Sequence, residues 1–457
     1  MKYYYIAIML LFMMGCRKND FLDAKPNPSV VVPSTLSDYE ALLNNDATMN
    51  GETYGIVPVL GETGADNYFL PDDVYSAVLK PLYRKSYTWE KDVFQDEQVS
   101  DWNLPYQSIY IANVVLDGLQ ELHPDADETI RYNETIGCAL FFRAHAFYQL
   151  SQVFAKPYDK ATAANDPGLP LRLTSSLTEN LKRSSLEATY QQIITDTKTA
   201  IGLMPARPVY ATQPGKAAGY GLLARLYLSM QDYTQALAYA DSCLQLHHDL
   251  MDYNDLDTTG NYPFTILNSE VIFQCEMVRG TDVVPVNANY CYVDTALFDM
   301  YQSNDLRKVV FFNPKSGYHY FKGSYSGYYG MFSGIATDEI YLMRAECYAR
   351  TGRQKQALED INTLLEKRYI AGNFVPYTIA NTPDVLQLVL DERRKELCFR
   401  GLRWTDLRRL NLKDGHIVLY RRVGNALYTL PPNDSRYVYP VPSPVISLNP
   451  VIEQNKR

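Results

Sequence analysis

Histidine, tryptophan and long apolar runs are scarce in this chain. Six histidines and three tryptophans are spread through 457 residues. No HExxH occurs, and His247 and His248 fall on different helix faces, so no metal-ligand spacing exists and no cofactor or metal is expected. Beyond residue 15 no stretch approaches 18 consecutive apolar residues, so no membrane-spanning helix is expected there. Besides Cys16 there are Cys138, Cys243, Cys275, Cys291, Cys347 and Cys398, far apart and without a CxxC pair. Most read as buried free thiols, with a Cys275–Cys291 disulfide as the alternative. Positive charge is also in deficit, the formal net charge being −9. That balance argues against nucleic-acid and anionic-lipid binding.

Motifs of catalysis fail in the same way. Gly219-Tyr-Gly221-Leu-Leu-Ala224 matches a dinucleotide fingerprint but lies inside a helix instead of after a strand. Gly323-Ser-Tyr-Ser-Gly327 resembles a nucleophile elbow with Tyr325 where serine belongs. Asp72-Asp73 and Glu392/Glu396 are carboxylate pairs. The second sits in DERRKELCFRGLRWTDLRRL, read as one helix with a salt-bridged face that buries Leu390, Leu397, Trp404 and Leu407 on its other side. With no acid/base pair, nucleophile or phosphate loop, the chain is read as a non-enzyme.

What is present begins at the N-terminus. Lys2, the apolar run 3–14, the small Gly15 and then Cys16 form a signal-peptide pattern. Twelve apolar residues are fewer than the ~20 a permanent span needs. A cysteine directly after the small residue looks like a bacterial lipobox, although Met13 stands where leucine is usual. The expectation is a signal peptide at 1–15, lipid attachment at Cys16 and a Pro/Asn-rich tether over 16–35. Losing Lys2 with the leader takes the charge from −9 to −10.

Helix signals begin near Leu36, continue through 100–122 and 137–154, and resume behind a Ser185 cap up to Pro205. An internal repeat follows. Tyr220, Ala224, Tyr227, Ala236, Leu237, Ala240 and Leu244 match Tyr341, Ala345, Tyr348, Ala357, Leu358, Ile361 and Leu365, each pair offset by 121. Ala–x2–Tyr on one helix and Ala–x3–apolar on the next is tetratricopeptide spacing, in which small residues let antiparallel helices approach and tyrosine fills the seam. The helices at 137–154 and 185–203 read as a third, interrupted copy. The expected architecture is mainly α. Its helix pairs lie near 100–154, 185–203, 217–246 and 338–369, within one domain over 36–457. The segments 51–99, 250–335 and 411–457 carry Gly, Pro, Asn and Tyr without helical period. Short strands such as 270–275 are expected there, and long loops on a rigid scaffold commonly carry function.

These residues resemble the RagB/SusD family of outer-membrane nutrient-uptake lipoproteins. Cys16…Asp20-Phe21-Leu22…Pro26 is similar to the family's mature start, and Asp66-Asn67 to its early Asp-Asn pair. Pro105-Tyr106…Ile109…Asn113, Gly168-Leu169-Pro170-Leu171 and Arg183-Ser184-Ser185…Tyr190 follow in order. Glu392-Arg393-Arg394-Lys395-Glu396-Leu397…Gly401-Leu402-Arg403-Trp404-Thr405-Asp406-Leu407-Arg408-Arg409 resembles the ERRxELxxEGxRwxDLrR signature. Arg400 stands in place of the acid before the glycine, which is expected to weaken a local ion pair. The tail Tyr439-Pro440-Val441-Pro442…Asn449-Pro450…Gln454-Asn455 completes the series. The resemblance implies a SusD-like fold: a tetratricopeptide scaffold with a loop-rich, partly β ligand-binding half. It also implies a cell-surface lipoprotein of the outer membrane, partnered by a SusC-like TonB-dependent barrel docked through 210–250 and 338–370.

The function expected is capture of a glycan and its delivery to that barrel. Oligopeptide capture and a non-capturing envelope scaffold remain as alternatives. Tyrosine, at 38 residues against 17 Phe, offers a flat ring with a polar tip for half-polar ligands. The loops at 65–75, 87–94, 287–294 and 317–332 supply the candidate ligand contacts: Asn67, Tyr68, Trp89, Tyr290, Tyr292, Tyr320 and Tyr325. Each has a plainer reading: Trp89 in the core, Asn67 shaping its loop, and the Gly–Tyr stretch as a hairpin packed on the scaffold. Trp102 and Trp404 are read as core residues.

Overall fold

A computed structural model of the chain describes residues 32–77, 80–94, 97–279, 291–413 and 415–457. The leader, Cys16 and most of the tether lie outside the described residues. The described chain is mainly helical, with eight short strands paired into four two-stranded ladders.

Nine helices form the scaffold and are labelled in chain order. They are α1 (Ser100–Gln120), α2 (Thr129–Phe154), α3 (Leu186–Leu203), α4 (Lys216–Ser229), α5 (Tyr233–Leu246), α6 (Thr337–Arg350), α7 (Gln354–Glu366), α8 (Val385–Glu396) and α9 (Arg403–Leu410). Their ends follow local chemistry. The Ser185 hydroxyl accepts from Ala188 N, Asp232 from Gln235 N and Asp384 from Gln387 N, each satisfying an orphan donor of a first turn. Ahead of them, Thr35 and Asp38 form a reciprocal capping box on the helix Leu36–Leu43.

The helices stack serially: α1 on α2, α2 on α3, α3 on α4, α4 on α5, α5 on α6 and α6 on α7. The two matched repeats are therefore neighbours in space although 247–336 separates them in sequence. Ala224, Ala236, Ala345 and Ala357 are completely buried. A Cβ added to Gly221 would lie 2.8 Å from Ile335 Cγ2 and 3.2 Å from Ile340 Cδ1, so any side chain here would push these isoleucines aside. Polar clamps lock the stack. Arg225 of α4 bonds Glu339 of α6, and Arg344 of α6 reaches Asp241 of α5 and Asp360 of α7 at 2.9 and 2.7 Å.

The strands come from the intervening loops. They are β1 (Tyr68–Phe69), β2 (Val271–Phe273), β3 (Tyr292–Val293), β4 (Phe312–Lys315), β5 (Tyr318–Phe321), β6 (Ile335–Ala336), β7 (Leu419–Val423) and β8 (Ala426–Leu430). All four ladders, β1–β3, β2–β6, β4–β5 and β7–β8, are antiparallel. The expected strand at 270–275 is realised as β2.

One expectation is corrected here. DERRKELCFRGLRWTDLRRL is two helices, not one. The chain breaks between α8 and α9, where Phe399 and Gly401 take positive φ of 59° and 75°. Its charges are salt-bridged as expected, but inside the fold. Glu392, Arg393, Lys395, Glu396, Arg408 and Arg409 are all buried, while Leu390 is only half-buried. They are inside because other segments of the fold supply partners. Completely buried Arg307 bonds Asp305, Glu392 and Glu396 at 2.7, 2.7 and 2.9 Å. Arg368 joins Glu396 at 2.7 Å to Glu270 at 2.8 Å. A buried charge needs such partners, since its desolvation otherwise costs several kcal/mol. Arg400 does not lose an ion pair. It bonds Asp338 at 2.7 Å and lies 4.0 Å from the Tyr325 ring.

The six described cysteines are free, five of them buried, so Cys275 and Cys291 do not pair. Burial pushes the Cys398 thiol up to about 12. Trp102 and Trp404 are core residues, 5% and 1% exposed.

Candidate functional site

Two ladders of the loop half meet at the surface. In the first, Phe69 of β1 pairs with Tyr292 of β3. In the second, the β4–β5 hairpin turns at Ser316 and Gly317, whose φ of 50° and 81° are those a tight type I′ turn requires. That turn sets Lys315 opposite Tyr318. Because β3 and β5 lie side by side, three rings come together. Phe69 and Tyr292 stack at 5.6 Å and 21°. Tyr318 meets both edge-on, at 5.0 Å from Phe69 and 5.6 Å from Tyr292. The Lys315 ammonium lies 5.1 Å from the centre of the Tyr292 ring.

The cluster is open to solvent on one side. Tyr318 is 44% exposed, and Phe69 and Tyr292 are half-buried. Stacked and T-shaped contacts of this kind hold rings in a fixed arrangement. Such a surface offers apolar faces with phenol hydroxyls and an ammonium at its margin, a chemistry suited to ligands with alternating apolar and hydroxyl-bearing faces.

The seven candidate residues divide sharply. Tyr292 belongs to the cluster. Half-buried Tyr320 lies two residues from Tyr318 on β5, where Asn313 Nδ2 donates to its hydroxyl at 2.9 Å. Tyr290 lies outside the described residues. The other four are interior. Asn67 Nδ2 donates to Glu62 at 2.7 Å, and its backbone carbonyl accepts from Asp294 N at 2.9 Å. The Tyr68 hydroxyl donates to the Thr63 carbonyl at 2.8 Å. The Trp89 indole N–H donates to the Gly64 carbonyl at 2.9 Å. The Tyr325 hydroxyl donates to Glu270 at 2.9 Å and meets Tyr253 at 3.0 Å. As placed, these side chains support the ladders instead of presenting themselves to a ligand.

Phe69 and Tyr318 were not among the candidates, although the loops carrying them were. The missing signal is parity. Neighbouring strand residues point to opposite faces, so burial of Tyr68 turns Phe69 outward. The turn at Ser316-Gly317 is readable as a Ser-Gly pair between the aromatic-bearing segments 311–315 and 318–321, and points to Tyr318 at its exit.

Behind the platform, burial governs the charges. It drives Glu62 up to about 7, against the hydrogen bonds from Asn67 and Gly401 N. Asp66 is held well below the usual carboxylate range, because Arg403, bonding it at 2.7 Å, and Arg394 outweigh its burial. Among the described residues no group of three or more His, Cys, Asp or Glu side chains is arranged to hold a metal ion.

The geometry defines a helical-repeat scaffold protein with an aromatic surface site built on its loops. Residues 20–228 match a family model described as starch-binding associating with outer membrane, and residues 257–457 match that of the SusD family. The chain belongs to the SusD/RagB family, and its fold is SusD-like. It is 22% identical to the SusD-like protein P2 of Formosa agariphila, over 98% of each chain. The crystal structure of a SusD superfamily protein from Bacteroides thetaiotaomicron superposes with a TM-score of 0.76 at 21% identity, covering 93% of this chain and 100% of that one. A laminarin binding SusD-like protein superposes with a TM-score of 0.65 at 18% identity, covering 92% of this chain and 98% of that one.

Proposed function

We propose that this protein is a cell-surface lipoprotein that captures a glycan and passes it to a SusC-like TonB-dependent barrel in the outer membrane. The observation that carries the reading is the open cluster of Phe69, Tyr292 and Tyr318. A pyranose presents C–H groups on its face and hydroxyls at its edge. The rings cover the face, while the phenol hydroxyls and Lys315 meet the edge. Tyrosine does this with little entropy loss, having two χ angles to fix. The description of the family as starch-binding and the laminarin binding of one similar structure support this ligand class. Lipidation at Cys16 would anchor the chain, and the repeat helices α4–α7 would offer the surface for the barrel. Capture and delivery ask no covalent chemistry of the chain.

The test is calorimetric titration of the full chain, solubilised in detergent, with laminarin, starch oligosaccharides and mixed oligopeptides. Saturable glycan binding that falls in Tyr292→Ala or Tyr318→Ala is the expected result. Peptide binding alone would transfer the role to oligopeptide uptake. Silence toward both ligand classes would defeat capture by the isolated chain.

A further inference from the structure

A second recess lies beside the platform. It is a cleft of about 690 Å³ between α8, α9 and the strand β7. The β1–β3 segments join the two places. Phe69 and Tyr292 stand on the platform, while Asp66 and Asp294, next along the same segments, line the cleft.

The cleft wall is short of negative charge. Arg350, Arg393, Arg394, Arg403, Arg409 and Arg421 all line it. Four carboxylates serve five of them: Glu339, which also holds Arg225, lies 4.0 Å from Arg393, and three others are each shared between two of these guanidinium groups. Glu346 pairs with Arg350 and Arg409, Asp406 with Arg393 and Arg409, and Asp66 with Arg394 and Arg403. Arg421 has no carboxylate partner among the described residues; it donates to the carbonyls of Tyr68 and Ala65 and lies against the Tyr87 ring. The rim also carries Asp294 and Asp384, which cap helices, and Asp391, which accepts from Gln387. Lys413 stands exposed at the rim.

Three guanidinium nitrogens of this wall have no acceptor in the described protein: Arg393 Nη1, Arg394 Nε and Arg421 Nε. Arg393 and Arg421 are 3% and 4% exposed. A buried donor left unpaired is costly, more so when it is charged. Burial, assisted by Arg403 and opposed by Asp66 and Asp294, leaves Arg394 below the ordinary arginine value. The lining thus carries six arginines and Lys413 against the carboxylates of Asp66, Asp294, Asp384, Asp391 and Asp406, a local positive excess in a chain whose net charge is −9.

We propose that this cleft is an anion subsite. It takes the acidic substituent, a uronic acid carboxylate or a sulfate ester, of a glycan whose rings lie on the platform. The inference rests on the capture reading above. Both groups present oxygens that a guanidinium fork can engage through charge-assisted hydrogen bonds. A locally positive recess also selects for such ligands against the acidic background of the chain.

The full detergent-solubilised chain is titrated with four probes in two matched pairs: oligogalacturonate and its methyl ester, and a sulfated galactan oligosaccharide and its desulfated product. The expected result is an acidic member bound about tenfold more tightly than its neutral partner, with a gap that narrows as salt rises. The pair showing the gap identifies carboxylate or sulfate as the group recognised. Arg394→Gln should abolish the gap and leave neutral binding in place, since Asp66 keeps Arg403. Exposed Lys413→Gln should reduce the gap, and serves if the first variant does not fold. Equal affinity within both pairs would overturn the anion subsite while leaving capture intact. Failure of all four probes and of laminarin and starch oligosaccharides would overturn both. An acidic peptide bound through Arg394 in place of these glycans would overturn the ligand assignment.

Discussion

Phe69 stacks on Tyr292 with ring centroids 5.6 Å apart and planes 21° from parallel, joining two strands distant in sequence. Tyr318 closes the group from the tip of a hairpin, 44% exposed. The relationship places the proposed ligand surface on strands, whose register is held from behind by Tyr68, Trp89 and Asn67.

Tyr292→Ala and Tyr318→Ala should each weaken glycan affinity by roughly 2- to 13-fold, from ~0.5–1.5 kcal/mol per lost ring contact. Thermal stability should move little, because these rings are partly solvated already. Trp89→Ala should do the reverse, costing ~3–5 kcal/mol of stability through a core cavity. Titration calorimetry beside thermal denaturation separates the two. A Tyr292 variant with full affinity and lowered stability would make the cluster structural.

Ala224→Trp or Ala345→Trp should wedge a seam in the helix stack and cost ~1–3 kcal/mol or more. Both alanines are completely buried. Chemical denaturation measures the cost, with exposed Lys355→Trp as the control. Equal stability of wedge and control would refute the repeat register.

Arg368→Met removes the cation between Glu270 and Glu396, leaving two buried carboxylates without it. The expected loss is ~3–5 kcal/mol, the cost of breaking a buried pair from one side. Because Arg368 lies between the repeat helices and the loop half, the unfolding transition should stay single while its midpoint falls. An unchanged midpoint would show that the network carries no stability.

Glu62 sets a pH dependence. Burial raises its folded value to about 7 from an ordinary 4.5. The unfolded chain therefore holds fewer protons between these values, and this group's contribution to stability declines as pH rises through them. Glu62→Gln can keep both hydrogen bonds if the Asn67 amide turns over, since Asn67 Oδ1 has no partner. Relative to the parent, the variant should gain ~1–3 kcal/mol between pH 4.5 and 8. Parallel stability–pH curves for the two proteins would remove Glu62 from the account.

Cys16→Ser tests the anchor. The serine variant should lose metabolic lipid label and leave the membrane fraction. Unchanged labelling would place the lipid elsewhere or exclude it.

The sequence signatures prove to be joints of the fold. Tyr106 donates to the Pro170 carbonyl at 2.9 Å, and Asn113 Nδ2 to the Arg172 carbonyl at 3.0 Å. Asp66 takes both arms of Arg403, and Gly401 N donates to Glu62 at 3.1 Å. Asn455 Nδ2 ties the tail to the Phe154 and Tyr439 carbonyls at 2.8 Å. These motifs were legible because each needs a fixed residue type. The ligand surface needs only ring faces turned outward, which Phe and Tyr at several loop positions can supply, so its residues carry no comparable mark.

By itself the sequence determined the scaffold: helix caps, small-residue seams and the matched repeats are local patterns, decided by nearest neighbours along the chain. The tertiary structure alone decided which aromatic of each strand faces water and which charges are buried. Both depend on partners brought from distant segments. Tyr68 and Phe69 are adjacent and alike in hydrophobicity, yet pairing with β3 buries one and exposes the other. Glu392 and Glu396 read as members of a helix's own salt-bridged face, yet their partners are Arg307 and Arg368 from other segments. Burial of a charge is affordable only with its counter-charge in place, and no local pattern reports where that counter-charge will come from.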